Sequence, residues 1–266
     1  MMAVAAGETN FSHGEAPCSG LGLSWSADEL DAALADRVSD IVFDEDGKAD
    51  IEAILSGLAE TEFAQDGLRD ILAEPDEIED WRVGEAIAEA YLTDHRDCEF
   101  PWPDSRDERK SGSSLPGADL VGFRTDDDGD VLAFGEVKTS TEDKHPPGAM
   151  YGRTGLKQQL EDLRDRDDIR DDLLKYLCHR AKAAPWRPRF EAASRRYLQN
   201  KSDVQLYGVL IRDVDPHVDD VRVRVVKLGK DCPEGARIEL IALYLPKGRI
   251  EGLGAALIAQ RRGGEA

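Results

Sequence analysis

Apolar residues recur at three- and four-residue spacing through much of the first hundred positions. Ser26-Ala27-Asp28-Glu29 sets a Glu three positions after a Ser, a capping box that opens a helix predicted over 27–43. Further helices are expected over 49–59 and 64–74, after which Pro75 ends the pattern. The next helix, over 77–94, carries Ile78, Trp81, Val83, Ala86, Ile87, Ala90 and Tyr91, with Glu85 and Glu89 four apart. Residues 1–26 are rich in small and turn-forming types and read as a poorly ordered lead-in with one short strand near 21–25.

Beyond residue 97 the period changes. A short strand is expected near 98–102, then a polar loop over 103–116 with Arg106, Arg109 and Lys110. Two strand-like runs follow, 117–123 and 131–138, separated by the turn-rich Thr125-Asp126-Asp127-Asp128-Gly129-Asp130. A long helix over 153–183, broken near Asp167, and another over 186–199 lead to strands over 204–211, 221–228 and 237–245 and a last helix over 247–262. Two helices between the first three strands and the last three imply a mixed α/β architecture. The chain divides into a lead-in with an acidic helical region, 1–76, and an α/β domain, 77–266.

Composition narrows the class. The 266 residues can bury a substantial core, and 41% hydrophobic with 33% charged content suits a soluble globular protein. No apolar run is long enough to cross a membrane, and the start of the chain lacks the pattern of a signal peptide, so a cytoplasmic location and no membrane partner are expected. Cys18, Cys98, Cys178 and Cys232 form no C-x-x-C pair, and the five histidines have no zinc-ligand spacing. A metal here is a hard cation held by carboxylates rather than zinc. The formal charge of −21 argues against coating nucleic acid through bulk electrostatics. From 175 to 201, however, eight basic residues face one acid, Glu191, a local net of +7.

The candidate chemistry lies in the two runs 117–123 and 131–138. Asp119 sits among Ala118, Leu120, Val121 and Phe123, and Glu136 between Phe134 and Val137, settings where a carboxylate needs a cation or donors to offset desolvation. On a strand Glu136 and Lys138 share a face. Two carboxylates and an amine converging from adjacent strands form a minimal site for metal-assisted phosphodiester hydrolysis. A purely structural reading makes Glu136 and Lys138 a same-face ion pair on a strand edge and Asp119 a turn residue after Pro116-Gly117.

Glu85, Pro116-Gly117-Ala118-Asp119 and Glu136-Val137-Lys138, in this order, resemble the signature of the PD-(D/E)xK, or restriction-endonuclease-like, nuclease superfamily over about residues 77–212. Pro116 stands three before Asp119 rather than beside it. The resemblance implies an αβββαβ core with a mixed sheet, here preceded by a small acidic helical region. It also implies a single site of Glu85, Asp119, Glu136 and Lys138. More narrowly, Trp81-Arg82-x-Gly84-Glu85-Ala86, Gly117-Ala118-Asp119-x-x-Gly122-Phe123 and Gly135-Glu136-x-Lys138 are similar to the HamA nuclease component of Hachiman anti-phage defence, a system in which a helicase controls the nuclease.

The expectation is therefore an Mg²⁺- or Mn²⁺-dependent nuclease acting on DNA, the effector of a defence or restriction system with a helicase or ATPase partner. Asp119, Glu136 and the Val137 carbonyl would hold the metal, Glu85 a second metal or a water, and Lys138 would orient water or neutralise charge. Gln158, Lys144, Arg153, Lys182, Arg187 and Arg189 are candidate substrate contacts. Some superfamily members place an aromatic after such a Gln, but positions 162 and 163 are Asp and Leu. The alternatives are a nuclease fold retired to a regulatory or scaffolding role, and a hydrolase of small phosphate esters.

Overall fold

The computed structural model describes residues 2–101 and 117–264. The loop expected over 103–116, with Arg106, Arg109, Lys110 and Pro116, lies outside the described residues. Strands β1 (Glu8–Glu15), β2 (Cys18–Ser24), β3 (Cys98–Glu99), β4 (Leu120–Asp126), β5 (Gly129–Ser140), β6 (Val204–Arg212) and β7 (Arg237–Tyr244) form one sheet in the order β1-β2-β7-β6-β5-β4-β3. The four strands β2, β7, β6 and β5 run parallel, while β1, β4 and β3 are each antiparallel to their neighbours. All nine residues of β6 are buried, as expected of a central parallel strand covered on both faces.

Ten helices flank the sheet among the described residues: α1 (Ala27–Ala35), α2 (Arg37–Phe43), α3 (Glu45–Leu55), α4 (Glu62–Leu72), α5 (Asp80–His95), α6 (Leu156–Asp165), α7 (Asp167–Arg180), α8 (Arg187–Gln199), α9 (Arg222–Gly229) and α10 (Leu253–Gly264). Strand alternation splits the core in two. On one face Ala133, Val137 and Ile211 pack with Leu34 of α1, Val38 of α2, Ile87 of α5 and Leu257 of α10. On the other, Leu132, Phe134 and Leu210 pack with Leu160 of α6, Leu177 of α7, Tyr197 of α8 and Val225 of α9.

Several expectations hold in outline. Ser26 caps α1, accepting from the Glu29 amide at 3.3 Å while the Glu29 carboxylate accepts from the Ser26 amide at 2.7 Å, an arrangement worth about 1 kcal/mol. The break in the long helix falls at Arg166, between α6 and α7. The helix expected over 27–43 is two helices, divided at Asp36.

Two expectations are corrected. The lead-in over 1–26 is a β-hairpin that extends the sheet: β2 pairs with β7 along its whole length, Cys18 to Ser24 against Ile238 to Tyr244. Its inward positions include Gly20, where a Cβ would meet Val225 at 2.8 Å and Val221 at 3.0 Å, so a helix approaches too closely for a side chain. The strand expected over 221–228 is that helix, α9. Its valines and arginines alternate like a strand, but the buried positions are Val221, Arg224, Val225 and Leu228, a helical i, i+3, i+4, i+7 set. Packing on the Gly20 surface overrides β propensity.

Candidate active site

Asp119 enters the sheet two residues after Gly117, whose φ of +115° suits a residue without a Cβ. The Asp119 amide donates to the Gly135 carbonyl at 2.9 Å, and the Val137 amide donates to Asp119 Oδ2 at 2.8 Å, so the carboxylate takes the place of a ladder acceptor. In the register of β4 with β5, Leu120 faces Gly135 and Val121 faces Phe134. Asp119, one residue before Leu120, thus comes opposite Glu136.

Glu136 is only 1% exposed. Burial pushes its carboxyl well above the usual carboxylate range; the neighbouring Asp119 adds to the rise, and Lys138 works against it. Lys138 Nζ lies 3.4 Å from Glu136 Oε2 and 3.8 Å from Asp119 Oδ2, with part of its side chain open to solvent. The sheet therefore gathers Asp119, Glu136 and Lys138 at one point. Two carboxylates share one ammonium, leaving the cluster one positive charge short when both are ionised.

The donors suit a hard cation: two carboxylates from adjacent strands, one of them buried and under-compensated, next to the main chain of Val137. Among the described residues, the third expected carboxylate, Glu85, completes no three-carboxylate metal group with them. Helix α5 packs on the opposite face, where Gly84 abuts β5 so closely that a Cβ would lie 2.3 Å from Thr139 Oγ1. Glu85, the next residue, is half-buried. Among the described residues, no group of three or more His, Cys, Asp and Glu side chains is placed to hold a metal ion.

Expected substrate contacts are scattered. Gln158 donates to Asp162 at 3.2 Å, one turn along α6, whereas the side-chain oxygen of the adjacent Gln159 is buried without a hydrogen-bond partner. Gln159 stands on the helix whose Leu156 and Leu160 lie over Gly208, the β6 residue paired with Glu136. Lys144 Nζ lies 5.6 Å from the Tyr151 ring centroid, and Arg153 and Lys182 are exposed. Arg187 pairs with Glu191, and Arg189 with Glu99 and Asp130. Elsewhere in the basic stretch, Lys175 pairs with Asp172, Arg196 with Asp126 and Asp203, and Lys201 with Asp171. Much of the local +7 is thus compensated in the fold.

Two features escaped sequence reasoning. His145 is held by Asp220, with Nδ1 and Oδ1 3.0 Å apart, and its ring stacks on His217 at 4.6 Å. Asp220 also meets Arg212 and Tyr244, both fully buried. His145 lies 75 residues from Asp220, so no local spacing announces the pair. A cavity of about 850 Å³, lined by Arg124, Asp126, Arg189 and Arg237 among others, sits at the far end of β4, roughly 20 Å along the strand from Asp119. It contains none of the three clustered residues. There, burial opposes ionisation of Asp126, but hydrogen bonds from Arg196 and Arg237 hold its carboxyl at about 2.

No protein-family model matches the chain, and no curated protein sequence matches it. No helix among the described residues is long and apolar enough to cross a membrane.

Proposed function

We propose that this chain is a metal-dependent nuclease that hydrolyses phosphodiester bonds of DNA, acting as the effector of a defence or restriction system alongside a helicase or ATPase partner. The convergence of Asp119, Glu136 and Lys138 carries the reading. The strand arrangement supports it as well. Helix α5, the antiparallel β3-β4-β5, helices α6, α7 and α8, and the β6 strand parallel to β5 are compatible with the αβββαβ succession of restriction-endonuclease-like nucleases, with two more helices before β6 than that succession has.

Asp119, Glu136 and the Val137 carbonyl are the groups that would hold Mg²⁺ or Mn²⁺. When bound, such an ion polarises a phosphoryl oxygen and lowers the pKa of water. Asp119 is fixed for this task by the Val137 amide, which sets its carboxylate orientation before any substrate arrives. Glu136 is held in a nearly dry position where its charge is poorly screened, so a cation gains more there than at the surface. Lys138 reaches from the cluster toward solvent, where it can orient a water or neutralise charge on the phosphate. Glu85 stands on α5, which packs on the other face of the sheet, and this reading gives it no part in holding the metal.

One observation favours a second reading. Lys138 already lies within ion-pair distance of both carboxylates, as expected of a nuclease fold retired to regulation or scaffolding. A plasmid-degradation assay with Mg²⁺, Mn²⁺ or EDTA separates the two. The nuclease reading expects cleavage with metal, lost by at least 100-fold in Glu136→Ala and in Lys138→Ala. Undiminished cleavage in both variants would overturn the assignment. Comparison with a nucleotide monophosphate ester tests for a small-substrate hydrolase.

A further inference from the structure

Helices α3 and α4 differ from the rest of the molecule in what they leave uncovered. Within α3 only Gly47 is buried, and α4 buries no residue at all. Ile54, Leu58, Phe63 and Ile71 are 70%, 71%, 87% and 62% exposed, and Ile51 joins them. The other exposed large apolar side chains among the described residues, Met2, Tyr151, Leu198, Val223 and Val226, lie elsewhere in the chain. Ile51, Ile54 and Leu58 follow i, i+3, i+7 spacing along α3 and the 3-10 turn after it, and Phe63, Gly67 and Ile71 follow i, i+4, i+8 along α4. At Gly67 nothing lies within 4 Å of the position a Cβ would take, so the stripe has a notch between Phe63 and Ile71.

Charge surrounds this apolar surface. Residues 44–74 hold ten Asp or Glu against two basic residues, Lys48 and Arg69. Lys48 pairs with Glu74, and Arg261 of α10 pairs with Glu45 and Glu74, so the base of the hairpin is tied to the body while its acidic sides remain. Exposed apolar side chains at helical spacing on two neighbouring helices, with charge around them, suit a protein-docking surface. The margin decides the occupant. A second copy of this chain would set one acidic rim against another, and like charges in contact oppose association.

We infer that the α3–α4 surface docks a cationic amphipathic segment of a partner protein, with apolar side chains at i, i+3, i+4 and i+7 seated along Ile54, Phe63 and Ile71 and flanking Lys or Arg facing the acidic margin. This goes beyond the nuclease reading and holds whether or not the Asp119–Glu136 pair cleaves DNA.

The test uses the full chain and two fluorescein-labelled 18-residue peptides of equal charge, one built of Leu and Lys at amphipathic spacing and one with Ser in place of Leu. Anisotropy in 0.15 M salt should show the Leu peptide binding at least tenfold more tightly than the Ser peptide. The exposed double variant Ile54→Ser/Phe63→Ser, with its fold checked by circular dichroism, should lose at least tenfold in affinity for the Leu peptide. Equal binding of the two peptides, or undiminished binding by the variant, would overturn the proposal. Sedimentation showing a dimer of the chain that the double variant abolishes would also overturn it, naming a second copy as the occupant.

Discussion

Glu136 is the residue at which fold and function pull apart. A carboxylate 1% exposed, with Asp119 beside it and a single ammonium shared between them, is destabilised by its surroundings, and the nuclease reading has it retained for chemistry. In EDTA at pH 8, Glu136→Gln should therefore equal or exceed the wild type in urea stability, by about 1–3 kcal/mol. A clear loss would mean that the carboxylate is a structural ion-pair partner. Asp126 presents the opposite case. Its folded carboxyl is held down at about 2, below the usual carboxylate range, so its stabilisation is complete above about pH 4 and lost as the pH falls toward 2. Asp126→Asn should cost about 2 kcal/mol at pH 7, with the two unfolding curves converging near pH 2; a constant difference across that range would contradict this. The residues of the candidate site were legible because a carboxylate in an apolar strand is conspicuous. The partners of Asp126 were not, since Arg237 lies 111 positions away.

Among the elements, those with a clear period were readable and those shaped by close packing were not. Strand β6, a continuous apolar run, and the Ser26 cap follow from local sequence. The β1–β2 hairpin did not, because Gly20 and Gly22 take the place of the large apolar residues that mark a strand. Helix α9 was misread because its valines and arginines alternate, and only the surface prepared by Gly20 selects the helix. Helix α4 offers a test of local propensity without packing. Gly67 stands in its interior with open space where a side chain would go, so Gly67→Ala should stabilise the chain by about 0.5–1 kcal/mol. Destabilisation in a thermal melt would show that the notch at Gly67 is filled in the folded protein.

At the scale of the molecule, one sheet carries the Asp119–Glu136–Lys138 cluster on one face, while an acidic helical pair with exposed apolar side chains stands apart from both cores. A net charge of −21 and a basic stretch largely compensated by ion pairs leave weak intrinsic attraction for DNA. On the nuclease reading, cleavage would depend on how substrate is delivered, which makes cation binding the more direct test of the central claim. Calorimetric titration with Mn²⁺ in 0.15 M salt, which screens diffuse binding to the acidic surface, should show a saturable site in the wild type. That site should be absent in Asp119→Asn and in Glu136→Gln and retained in Lys138→Ala. Identical Mn²⁺ isotherms for the wild type and Glu136→Gln would contradict the account.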